Sequence, residues 1–151
     1  MRIVVCGSIE FTQKIKEIAD KLIEHGHEVE IPLTSQKIIS GELTLEDFLR
    51  EKEKNGDSVF RESMAQKVSD DLIRRYFHII EKSDAILVLN YEKKGIAGYI
   101  GGNTFLEMGF AHVLNKKIFL LNPIPEMGYK DEIIAMQPEI LHGDFSKINE
   151  Q

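Results

Sequence analysis

Three short runs along the chain are apolar without alternation: Arg2–Cys6 (RIVVC), Ala85–Asn90 (AILVLN) and Lys117–Leu121 (KIFLL). Strands covered on both faces read this way, because neither side offers a place for charge. Glu28–Ile31 is a shorter candidate after the turn signal His25-Gly26-His27. Glu139–Leu141, after Pro138, has the flanks of an edge strand. Helical spacing fills the intervals. Ile15, Ile18, Ala19, Leu22 and Ile23 fall on one face, and Gly26 supplies the positive-φ stop. Thr44 is placed to cap a helix opening with Leu45-Glu46-Asp47 and fading at Asn55-Gly56. The pattern predicts a long helix from about Val59 to Lys82, another from Thr104 to Asn115, and a short one near Lys130–Met136.

Strands alternating with helices through short loops imply an α/β fold, a parallel sheet with helices on both faces. The expectation is one domain over residues 1–151: a Rossmann-like three-layer sandwich on a five-stranded, mostly parallel sheet. The expected strand order is 2-1-3-4-5, although the pattern alone does not dictate it. Thr34–Gly56 is polar and charged, and reads equally as a cover over a site or as a solvated helical insertion.

Composition narrows the function classes. At 151 residues with 42% apolar and 29% charged positions, the chain can bury a core without staples. A net charge of −6 argues against binding duplex nucleic acid, which needs a basic face. Cys6 is the sole cysteine, and the five histidines show no metal-ligand spacing, so neither metal nor cofactor is expected. No run approaches the length of a membrane span, and the expected home is the cytoplasm.

In open parallel sheets ligands bind beyond the carboxyl ends of the strands, where the order reverses. Gly7-Ser8-Ile9, after the first strand, is a candidate contact, with neither GxGxxG nor a phosphate-loop pattern. Asn90 ends the third strand on the correct side; Asp84 lies at its opposite end. The segment Gly95 to Asn103 holds four glycines, at 95, 98, 101 and 102, a costly composition unless backbone must approach something closely. Thr104-x-x-Glu107 follows. It fits a capping box, with Glu107 folded back on the Thr104 amide. It also fits a helix end that keeps Glu107 ionised beside a glycine-lined space, as attack on an anomeric carbon requires. His112 falls off the Glu107 face, and Tyr76 and His78 sit in the last turns of the long helix.

Two blocks resemble the nucleoside 2-deoxyribosyltransferase superfamily, which includes the deoxynucleoside monophosphate N-hydrolases. Cys6-Gly7-Ser8-Ile9 is similar to the hydrolases' opening motif. Ser83-Asp84-Ala85, the third strand, a Gly-rich loop and Glu107-Met108-Gly109-Phe110-Ala111 are similar to the family's strand–loop–helix signature. The resemblance implies a flavodoxin-like fold, Glu107 as nucleophile on C1′, and Asn103 and Thr104 near the sugar, with Gly101 and Gly102 beside them. It also implies a homodimer or larger assembly acting on a small nucleoside or nucleotide. The chain departs from the family at three places, one of them the loop before Glu107, where Gly101-Gly102-Asn103 stands in place of the acidic residue that the transferases often carry. Arg75-Tyr76-Phe77-His78 lacks the expected aspartate, leaving Tyr76 or His78 as proton donor. Glu10 stands where the hydrolases carry an arginine, and its charge would repel a 5′-phosphate. Gly101 to Glu107 is also similar to the PGGxGTxxE stretch of phosphoribohydrolases, without its proline and central glycine. Three readings follow: N-glycosidic cleavage or base exchange through Glu107, a nucleotide-binding module without catalysis, and a structural protein whose Glu107 only caps a helix. The residues leave open the base, the sugar, the phosphorylation state and whether water or a second base completes the reaction.

Overall fold

The computed structural model describes residues 1–54 and 66–148. In chain order the elements are β1 (Arg2–Cys6), α1 (Thr12–Glu24), β2 (Glu28–Glu30), α2 (Leu33–Ser40), α3 (Leu45–Lys54), α4 (Gln66–Glu81), β3 (Ala85–Val88), α5 (Gly102–Val113), β4 (Lys117–Leu120), α6 (Lys130–Ala135) and β5 (Glu139–Ile140). Single turns of 3-10 helix precede α1, at Ile9–Phe11, and follow β5, at Phe145–Ile148.

All five strands are parallel and ordered 2-1-3-4-5, as expected. The central register pairs Ile3 with Ala85 and Cys6 with Val88, then Ala85 with Lys117 and Val88 with Leu120. Alternate residues of each strand feed separate cores. Ile3, Val5, Leu87, Leu89 and Phe119 pack against Ile15, Ile18 and Leu22 of α1. Val4, Cys6, Ile86, Val88 and Leu120 pack on the other face against Ile80, Met108, Ala111 and Ile133 of α4, α5 and α6. Burial on both faces is why these strands read as unbroken apolar runs.

Some boundaries moved. The β3 ladder ends at Val88 rather than Asn90, though Leu89 and Asn90 remain buried. The long helix occupies Gln66–Glu81; positions 59–65 of its predicted span, with Asn55-Gly56, lie outside the described residues. Thr34–Gly56 is helical before Leu45 as well: α2 starts behind Pro32 and stops at Gly41, whose φ is +84°. Asp84 takes the Arg2 amide N–H at 2.7 Å, at the amino end of the sheet and away from the ligand edge. Among the described residues no helix is long and apolar enough to cross a membrane.

Candidate active site

Where the order reverses between β1 and β3, a cavity of about 690 Å³ opens at the carboxyl ends of the strands. Cavities of this size hold ligands of nucleotide dimensions. Its polar lining comes from Gly7, Ser8, Ile9 and Glu10 after β1, from Lys93, Lys94 and Tyr99 after β3, and from Gly101 to Thr104 at the start of α5. Its apolar lining comes from the helices: Phe48 and Leu49 of α3, Leu72 and Ile73 of α4, Leu106 and Phe110 of α5. Glu107 and Tyr76 complete it.

Neither sequence-based account of Glu107 describes its surroundings. The cap of α5 is Gly101, in extended conformation, with no side-chain capping bond. The helix starts two residues before Thr104, which puts Glu107 in the second turn and removes the capping box. The helix end does not hold the carboxyl ionised either. Burial raises its pKa from the usual carboxylate range to about 7, offset only in part by the neighbouring Cys6 thiol, whose Sγ donates to the Val4 carbonyl at 3.9 Å. Cys6 closes β1 on the α5 side of the sheet and is fully buried. Burial first, and the Glu107 charge second, push its thiol well up, so it stays a neutral donor.

Tyr76 reaches the cavity from α4. Its oxygen accepts the Leu33 amide N–H at 2.6 Å, the first backbone donor of α2. Burial and, to a smaller degree, the nearby Glu107 charge raise its pKa, so the phenol keeps its proton across the working range. His78, the other proposed donor, is exposed on the far side, where it meets Glu81 at 3.3 Å and does not line the cavity. The helical spacing decides this, since two residues turn the side chain by about 200°.

Asn90 is likewise withdrawn. Its amide donates to the carbonyls of Asn122 and Pro123, and its oxygen accepts the Asn122 N–H. The buried amide thus ties the ends of β3 and β4 together, and Asn90 is not among the residues lining the cavity. The glycine loop divides its labour. Gly101 and Gly102 line the cavity, whereas Gly98, at φ +70°, packs against Pro123: a Cβ there would lie 2.6 Å from the Pro123 carbonyl oxygen.

Several residues of the site carry no sequence signal of their own. Lys93 donates to Ser8 Oγ at 2.9 Å and pairs with Glu10 at 3.1 Å. That pairing sets a cation against Glu10, the residue expected to repel a 5′-phosphate. Lys93 and Lys94 both place Nζ over the Tyr99 ring, at 5.6 and 5.7 Å. Phe48 and Leu49 also join the site through tertiary packing alone. Among the described residues no group of three His, Cys, Asp or Glu is arranged to hold a metal.

No protein-family model matches the chain, and no curated protein does. Among solved structures, a Clostridium botulinum CMP N-glycosidase, BcmB, is similar, with a TM-score of 0.52 at 14% identity. The match covers 93% of this chain and 85% of that one. At this identity the likeness is one of fold. The chain thus shares the α/β fold of that neighbour over most of both chains.

Proposed function

We propose that this protein cleaves the N-glycosidic bond of a nucleoside or nucleotide, with Glu107 as nucleophile. The observation that carries the reading is one recessed carboxyl, poised near neutral pH, between a polar and an apolar lining of a nucleotide-sized cavity. In its ionised form a Glu107 oxygen attacks C1′ as the C1′–N bond breaks, and the bonding pair leaves with the base. Tyr76 gives its proton to the departing nitrogen. Water, or the nitrogen of a second base, then attacks C1′; the ester bond breaks, Glu107 is restored, and Tyr76 recovers a proton from the attacking group.

Ser8, Asn103 and Thr104 are suited to the sugar hydroxyls, with Gly7, Ile9, Gly101 and Gly102 allowing close approach. The apolar side chains of α3 and α4 suit the base. The neighbour's activity as a CMP N-glycosidase supports the same bond class. We also infer a homodimer or larger assembly in the cytoplasm. Apolar side chains exposed on α5, Leu106 at 39% and Val113 at 77%, support the assembly, and sedimentation at working concentration tests it.

One observation favours a binding module without turnover. Among the described residues Glu10 is the only other carboxyl lining the cavity and is already paired, so none of them offers a second carboxylic acid to protonate a base. Chromatography for released base decides between the two. Ribo- and deoxyribonucleosides and their monophosphates are incubated with and without a second free base, beside a Glu107→Ala control. Release that vanishes in the control supports the enzyme; binding of the same compounds without release, unaltered by Glu107→Gln, supports the module.

A further inference from the structure

The loop after β3 contains a two-residue hairpin turn. Lys93 N–H donates to the Ile96 carbonyl at 3.2 Å and Ile96 N–H donates back at 3.0 Å, with Lys94 and Gly95 at φ +54° and +73° between them. These are the dihedral signs of a type I′ turn, in which asparagine followed by glycine sits most easily. A lysine in the left-handed region costs about 1 kcal/mol. The turn itself does not call for lysine there. What the two lysines share is the cavity.

Their surroundings are unequal. The Lys93 side chain is 13% exposed and held by Ser8, Glu10 and the Tyr99 ring. Lys94 is exposed, lies over the same ring, and among the described residues pairs with no carboxylate. The cavity edge therefore carries two cations and one anion, and that anion is loosely held: the Glu10 side chain is 39% exposed.

We propose that the Lys93–Lys94 turn is the anion-reading edge of the cavity, that it takes a phosphate monoester of the substrate, and that Glu10 is an internal competitor which the phosphate displaces from Lys93. Glu10 is the more exposed partner of the pair, so its carboxylate can return to water once a phosphate takes its place on Lys93. A phosphate dianion between two ammonium groups and the Ser8 hydroxyl makes several charge-assisted hydrogen bonds in its place. An uncharged nucleoside cannot drive that exchange and leaves the pair closed. Glu10 thus does not bar phosphate; it sets how much negative charge a ligand must bring. Naming the ligand a nucleoside monophosphate rests on the glycosidase reading, whereas the anion edge itself does not.

The test is calorimetric binding to the Glu107→Gln protein, which removes turnover from the readout. The probes are inorganic phosphate, a nucleoside monophosphate and the matching nucleoside. Added to that background, Glu10→Gln should tighten inorganic phosphate about tenfold and widen the ratio of nucleoside to monophosphate Kd by the same factor. Lys94→Ala should weaken phosphate about tenfold, narrow that ratio, and flatten the salt dependence of monophosphate binding. Lys94 is exposed, so this variant should keep the parent melting temperature and remains informative even if Lys93→Ala fails to fold. Phosphate affinity that is unchanged or weaker in Glu10→Gln overturns the proposal, as does a Lys94→Ala loss shared equally by nucleoside and monophosphate. Monophosphate selectivity without base release from the unsubstituted enzyme would sink the glycosidase reading and leave the anion edge standing. Base release with no preference for phosphate would do the reverse.

Discussion

Of the two carboxylates that line the cavity among the described residues, Glu10 is 39% exposed and held by Lys93 Nζ at 3.1 Å, whereas Glu107 is recessed beside a thiol and a phenol. Among the described residues no cation pairs with Glu107. The difference is one of solvation. Glu10 has water and a cation, so its charge is stable and movable. Glu107 has only the weak donor Cys6 to offset burial, and its pKa rises to about 7. One carboxylate is suited to setting the charge balance of the entrance, the other to reacting, because a poorly solvated carboxylate that is still partly ionised at neutral pH is a strong nucleophile.

The sharpest way to break this contrast is to remove each carboxyl in turn. Glu107→Gln should lower kcat for base release by roughly a thousand-fold or more, whereas Glu10→Gln should act on KM for anionic substrates; equal effects on kcat would erase the distinction. Tyr76→Phe comes next, with a fall in kcat of roughly a hundred-fold if the phenol protonates the base. The loss should be smaller for substrates whose free base is the more acidic, and a uniform loss would point to positioning alone. A pH profile sharpens the comparison further. With the free-enzyme pKa at about 7 and the ionised form as nucleophile, kcat/KM should rise roughly tenfold from pH 6 to pH 8. A flat profile would mean that Glu107 is fully ionised at pH 6.

Stability should register the same burial with the opposite sign. Between the ordinary carboxylate range and about pH 7, the folded chain binds the Glu107 proton more tightly than the unfolded chain does. The carboxyl therefore contributes a stability that is present at low pH and lost as pH rises through about 7. Glu107→Gln should gain about 1–2 kcal/mol relative to the parent between pH 4 and pH 8, read from urea midpoints, a value discounted for solvent reaching the cavity. The smallest effect expected is that of Cys6→Ala: losing the thiol donor should move the acid limb of the rate profile upward, away from the parent midpoint of about 7. A midpoint that falls instead would show that the thiol does not support the ionised form.

The strands were legible because burial on both faces leaves a signature in the local sequence, and RIVVC and AILV needed no partner to be recognised. Their order was an expectation that the local pattern did not dictate, and the observed pairing matches it. The α2 helix was less visible: Leu33–Ser40 has only a weak apolar stripe, and its signals were Pro32 before it and Gly41 after it. Glu107 itself stood out, but its environment did not. The two residues between the true start of α5 and Thr104 turned an apparent capping position into a cavity position, and a glycine helix cap has no pattern to distinguish it from a loop. The contacts that set its chemistry, Cys6 from β1 and Tyr76 from α4, arise from packing across a sheet and a helix pair. Lys93 stayed hidden for the same reason: its relation to Glu10 exists only once β1 and β3 lie side by side.

The hairpin at Lys93–Ile96 closes its hydrogen bonds on itself and takes no part in the parallel ladder. It is in effect an interchangeable cassette. Changes at its exposed residues, Lys94 and Gly95, leave the parallel ladder and α5, which carries Glu107, untouched, so on the proposed reading ligand charge preference and bond-breaking capacity can drift independently. Among proteins built on this sheet, turns of different charge at this position would mark different clienteles sharing one chemistry, and a library confined to these two residues is the economical way to redirect this one.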